Sequence, residues 1–292
     1  PTILALGAFA LAACTGDSEP DAYGNFEADD VVVSAQTSGP ILAFTAVEGQ
    51  PLGAGAVAAV IDTVPLVLER QQLLAQRNVV VSRRGEVAAQ LASATAQLEI
   101  ANRALARTAR LREGEAATVQ QLDGAERDVT VLGAQRDALT ATHASLAAEL
   151  ASLDARIAGV NDRIARATVR APIAGTVLAT YARAGETTQP GQALFAIADL
   201  GTLTLRAYVT GDQLGSFRLG QSVTVRATIG DSLVAFPGSV AWVSERSEFT
   251  PTPIQTRDER ADLVYAVKIR VQDPQGRLKI GMPGDVTLAG TP

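Results

Sequence analysis

Val129, Leu132, Arg136, Leu139, His143, Leu146, Leu150, Leu153, Ile157, Val160 and Ile164 follow one another at alternating steps of three and four residues. That is the heptad spacing of a coiled coil, and it runs without a slip. A lone helix cannot bury such a stripe, so a second helix must lie along it. The segment just upstream offers one. Leu66, Leu73, Val80 and Val87 recur every seventh residue, and so do Leu91, Leu98 and Leu105. Between the two segments lies Arg112-Glu-Gly-Glu-Ala-Ala-Thr118. Gly114 is expected to close the first helix in the left-handed region, where glycine has no Cβ penalty. Thr118-Val-Gln-Gln121 has the form of a capping box that opens the second. The pattern therefore predicts one antiparallel helical hairpin over residues 63–167. Its arms are close to fifty residues, or roughly 75 Å at about 1.5 Å per residue.

Composition narrows what surrounds this hairpin. The chain has 292 residues and is 47% hydrophobic, but only 4% aromatic. Alanine, valine and leucine suit thin elements, a coiled coil and small sheets, better than one large core. A net charge of −6 gives no electrostatic footprint for nucleic acid. With a single cysteine, neither an internal disulfide nor a multi-cysteine metal site can form. No apolar run reaches the eighteen or so residues that a membrane-spanning helix needs.

The first residues, 1–14, read as a signal segment: an apolar run ending in Leu11-Ala-Ala-Cys14. The ending resembles the bacterial lipobox, which makes Cys14 the expected lipidated first residue of the mature protein. The basic leader and initiator methionine are missing, so the chain is expected to be cut short at its start. Residues 15–30 are polar and acidic and read as a tether. Residues 31–62 are short apolar runs broken by glycine turns, and residues 168–201 repeat them. Gly39 and Gly175, Ile41 and Val177, Gly49 and Gly185, Gly55 and Gly191, and Ile61 and Ile197 are each 136 residues apart. Matching glycines at matching turns demand the same backbone twice. The two halves flank the hairpin and are expected to close into one β-sandwich. Residues 202–292 hold further alternating segments: 203–209, 219–226, 238–244, 264–271 and 285–288. These read as a small β-barrel.

Two half-motifs of the biotinyl/lipoyl type, split by a long helical hairpin, resemble the periplasmic adaptor family (membrane fusion, HlyD-like). Ala171-Pro-Ile-Ala-Gly-Thr-Val177 is similar to its second half-motif, Glu48-Gly-Gln-Pro-Leu-Gly-Ala-Gly55 to its first. Gly281-Met-Pro-Gly284 is similar to a late turn of its barrel, and residues 247–265 resemble the branch that works with ABC-type exporters. The resemblance implies an α+β architecture: a coiled-coil hairpin inserted in a split lipoyl-like sandwich, followed by a barrel. It implies an adaptor, not an enzyme, in the periplasm and held at the inner membrane through lipid on Cys14. Its partners would be an ABC-type transporter, a TolC-like outer-membrane channel and further copies of itself, as a trimer or hexamer. An adaptor for a proton-driven (RND-type) exporter and a structural coiled-coil lipoprotein are the alternatives. An acyl-carrying domain is disfavoured because its modified lysine is missing: lysine occurs only at 268 and 279. No attached cofactor is expected.

The candidate site follows from the same resemblance. The family's hairpin tip carries R-L-x-x-L, six residues, then S, and docks on the outer-membrane channel. Arg107, Leu111 and Thr118 fall on the Arg, second Leu and Ser positions, while Thr108 replaces the first Leu. His143, the only histidine, sits on the heptad stripe, where a polar side chain sets register or partner choice. Arg136 is read in the same way. Asp29 and Asp30, and the cluster Asp258, Glu259 and Asp262, lack calcium-loop spacing and read as solvated charges.

Overall fold

The computed structural model describes residues 20–249, 263–273 and 275–288. Residues 1–14, with Cys14, and the cluster Asp258, Glu259 and Asp262 lie outside them. The chain opens with strand β1 (Ala22–Glu27). Then come β2 (Asp30–Ser34), β3 (Gly39–Phe44), β4 (Pro51–Leu52) and β5 (Val57–Ile61). Helices α1 (Val64–Glu113) and α2 (Val119–Arg166) follow. After them run β6 (Thr168–Arg170), β7 (Gly175–Thr180), β8 (Thr187–Thr188) and β9 (Ala193–Ala198). The last group is β10 (Thr202–Thr210), the short α3 (Gly211–Leu214), β11 (Ser222–Ile229), β12 (Ser232–Phe249), β13 (Leu263–Gln272) and β14 (Pro283–Leu288).

The helical arms have 50 and 48 residues. Every position of the α2 stripe is buried or half-buried, and the residues between are mostly exposed. On α1, the two sevenfold series are the a and d positions of one heptad. The alternate positions are Arg70, Arg77 and Arg84 in the half nearer the sandwich and Ala94, Ala101 and Thr108 in the far half; all face the seam. The tightest block is Val80, Val87, Leu146, Leu150 and Leu153, with Leu73 and Leu139 packed on it. Among the described residues, no helix is long and apolar enough to cross a membrane.

The sandwich consists of two four-stranded sheets, β2-β9-β7-β4 and β6-β5-β3-β8. Each sheet takes two strands from before the hairpin and two from after it. A shift of 136 residues carries β3 onto β7, β4 onto β8 and β5 onto β9, and so relates one sheet to the other. The turn glycines keep the repeat: φ is 79° at Gly49 and 90° at Gly185, 77° at Gly55 and 87° at Gly191. Ile41, Ile61, Val177, Leu194, Phe195 and Ile197 fill the space between the sheets.

The closed barrel runs β1-β10-β13-β12-β11-β14. The expectation for residues 15–30 is corrected here: residues 22–27 are not tether but a barrel strand, paired with β10 on one side and β14 on the other. Ala22, Gly24 and Phe26 alternate inward, a period-2 pattern that the acidic, glycine-containing composition obscures. Gly24 has a structural reason, since a Cβ there would collide with the Arg206 carbonyl oxygen. Phe26 is fully buried, and a Cβ at Gly284 would lie 2.9 Å from its ring. The barrel therefore needs residues on both sides of the sandwich, not residues 202–292 alone. Asp29 and Asp30, beyond β1, are exposed.

Candidate functional site

The far end of the hairpin is built by two helix caps. Helix α1 ends with a Schellman arrangement. The N–H of Ala116 donates to the Leu111 carbonyl at 2.8 Å, and that of Glu115 donates to Arg112 at 3.0 Å. The left-handed residue is Glu115, with φ 54°, not Gly114, which has φ −90°. Expecting Gly114 there follows residue type, but the bond pattern places the left-handed position one residue later. Arg110 and Arg112 lie in the last turn, where cations offset the partial negative charge of the exposed carbonyls. The capping box that opens α2 is present: the Gln121 amide donates to the Thr118 hydroxyl at 3.2 Å, and the Thr118 amide to the Gln121 side chain at 2.8 Å.

On this scaffold Arg107 and Leu111 stand one helical turn apart on α1, and Thr118 begins α2. All three are exposed, Leu111 by 47%. Arg107 makes no hydrogen bond or ion pair among the described residues. Thr108 is half-buried on the seam, which accounts for a smaller, partly polar side chain there. The Thr118 hydroxyl is already engaged as a cap acceptor. The tip thus offers an unpaired cation and an apolar side chain on one face. The chemistry available is recognition, through charge and burial. Among the described residues, no group of three or more His, Cys, Asp or Glu side chains could hold a metal.

Along the seam the structure supplies partners that residue spacing alone does not give. Arg77 donates from Nε to Asp154 at 2.6 Å, and Arg70 donates to the Asn161 side-chain oxygen at 3.4 Å. Arg163 bonds Glu69 at 2.8 Å across the same pair of helices. His143 accepts from Arg84 Nε at 3.2 Å. Arg136 turns instead to Asp137 on its own helix, with Nε 3.0 Å from the carboxylate. The a-position arginines could have been found by stepping back in sevens from Leu91; their acceptors could not.

In the sandwich, Glu48 accepts from the Thr180 backbone N–H at 2.8 Å and from its hydroxyl at 2.9 Å. The backbone bond first, then the hydroxyl and the charge of Arg183, hold its carboxyl below the usual carboxylate range. This bond ties the first half of the sandwich to the second.

No profile of a known protein family matches the chain. It is 36% identical over 120 residues to the UPF0194 membrane protein in the asrC 5' region of Acidithiobacillus ferridurans, 40% of this chain and 35% of that protein. It is 35% identical over 113 residues to a UPF0194 membrane protein of Yersinia pestis, 39% of this chain and 34% of that protein. The match thus spans about a third of the length of these curated relatives. Two solved structures superimpose along nearly the whole chain. MacA from Actinobacillus actinomycetemcomitans gives a TM-score of 0.59 at 20% identity, covering 92% of this chain and 78% of that one. The membrane fusion protein Spr0693 from Streptococcus pneumoniae R6 gives 0.50 at 16% identity, covering 92% and 98%. The architecture of hairpin, split sandwich and barrel is shared with both.

Proposed function

We propose that this chain, which has the fold of the membrane fusion protein Spr0693 and of MacA, is the periplasmic adaptor of a tripartite efflux or secretion system. The observation that carries the reading is the nesting of its parts. The hairpin is inserted in the sandwich, and the sandwich is inserted between the first and second strands of the barrel. Such an order sends a stiff rod outward from two β-domains. A rod of about fifty residues per arm spans roughly 75 Å, a length that bridging requires and catalysis does not. The action is geometric. In this reading the barrel sits on an inner-membrane transporter, of ABC type by the resemblance of residues 247–265. The hairpin tip meets a TolC-like outer-membrane channel through Arg107, Leu111 and Thr118. Copies of the chain pack side by side as a trimer or hexamer, and lipid on Cys14 holds the assembly to the inner membrane.

The deciding test is Arg107→Asp. The side chain is exposed and has no hydrogen bond or ion pair among the described residues, so the change should alter stability by no more than about 0.5 kcal/mol. Site-specific cross-linking to the channel and export from cells should both fall. Unchanged cross-linking and unchanged export, in a protein made at normal level, would return Arg107 to a solvated surface residue and remove the tip from the mechanism. Mass spectrometry of membrane-extracted protein tests the anchor separately: a mature chain that begins elsewhere than at an acylated Cys14 overturns it.

A further inference from the structure

Three arginines, Arg70, Arg77 and Arg84, occupy successive a positions of α1 and form rungs across the coiled-coil seam. Their acceptors differ in kind. Asn161 offers an amide carbonyl, which does not titrate, and Asp154 offers a carboxylate oxygen. The third acceptor is His143 Nε2, 3.2 Å from Arg84 Nε. Histidine is the side chain whose ordinary titration falls between about pH 5 and 8. This is the only one in the chain.

We propose that the Arg84–His143 rung is a pH-responsive joint in the hairpin: closed while the imidazole is neutral, open once it is protonated. The bond fixes the tautomer, because an Nε2 that accepts leaves the ring proton on Nδ1. A second proton lands on Nε2, removes the acceptor and places a cation against the Arg84 guanidinium. Little nearby relieves that charge. From α1 the charged groups around the site are Arg83, Arg84 and Glu86, and from α2 they are Arg136, Asp137 and Glu149. Asp137 is engaged by Arg136, and Glu86 and Glu149 are exposed, off the seam. No acid contacts His143 among the described residues. The rung lies within the tightest apolar block, between Val80 and Val87 on one helix and Leu139 and Leu146 on the other. Opening it therefore loosens the rod near its middle and leaves the caps at the tip in place. Acidification turns a stiff lever into a hinged one, whatever the tip binds.

Hydrogen–deuterium exchange of the full chain, corrected for the intrinsic pH dependence of exchange, tests this at about pH 8 and about pH 5.5. In the wild type, protection in segments 80–91 and 139–150 should drop roughly tenfold at the lower pH, while segment 98–105 changes little. His143→Gln retains an oxygen that can accept from Arg84 and cannot titrate, so its protection should stay level. A level wild type, or an equal drop in His143→Gln, overturns the joint. If His143→Gln lacks normal helicity at about pH 8, Arg84→Met takes its place. The acid response should then shrink, and a full response overturns the proposal equally.

Discussion

Glu115 is the one described residue other than glycine with a left-handed backbone, φ 54°. An L side chain there costs about 1 kcal/mol or more, because Cβ crowds the following carbonyl. Glu115→Gly relieves that cost, though glycine also makes the unfolded chain more flexible. We expect a net gain of about 0.5–1 kcal/mol in denaturant unfolding, with no change at the sandwich. A loss of stability would mean that the Glu115 side chain contributes something the caps do not reveal. Glu48 makes a prediction of opposite character. Its folded-state carboxyl is held low by Thr180, so the stabilisation is present above the ordinary carboxylate range. It disappears as pH falls through the lowered value. Glu48→Gln should lower stability at neutral pH and flatten the acid limb measured below about pH 4.5, with the slope of the neutral-to-alkaline limb unchanged. A variant that loses stability with acid as steeply as the wild type would show that the bond does not link to folding.

At the scale of elements, the sandwich and barrel are each assembled from distant segments. Both sheets of the sandwich draw strands from both halves: within residues 31–62 only β3 and β5 pair with each other, while β2 and β4 find their neighbours after the hairpin. Expressed by themselves, residues 31–62 should give no cooperative melt; a cooperative one would show that the halves are two modules. Strand β1 plays the corresponding part in the barrel. Its Phe26 is wholly buried among Leu203, Leu205, Val225 and Val286 in the barrel core. Phe26→Ala should cost about 3–5 kcal/mol. Trp242, the only tryptophan and a β12 residue, gives a fluorescence signal confined to this barrel. An unfolding midpoint by that signal within error of wild type would deny β1 its closing role. The physical basis is the edge. Without β1, β10 and β14 would each present unpaired backbone groups to water.

At the scale of the molecule, the hairpin acts as a rod only while its seam holds. The seam is apolar in Val80, Val87, Leu146, Leu150 and Leu153 and polar at three arginine rungs. The Arg77–Asp154 pair is part-exposed, so it contributes at most about 1 kcal/mol; the apolar block carries the association. Leu150→Ala should therefore cost about 2–5 kcal/mol, several times more than Arg77→Ala, by thermal unfolding followed through helical circular dichroism. Equal losses would mean that the rungs, not the leucines, hold the rod straight.

The sequence by itself determined the hairpin, the repeated half-sandwich and five of the six barrel strands. Each is written as a periodicity: seven residues in the coil, 136 between the halves, two along the strands. Such patterns survive without knowledge of what lies opposite. The tertiary structure alone decided the rest. It made residues 22–27 a strand, since their short alternation means nothing until β10 and β14 stand on either side. It paired Arg84 with His143, two side chains 59 positions apart. It set the left-handed turn at Glu115, where the last carbonyls of α1 find donors. And it tied the start of the barrel to its end, through the Leu288 amide donating to Asp21 across 267 residues. Contacts at such separations depend on the shape of the closed fold, and no local pattern of residue types encodes them.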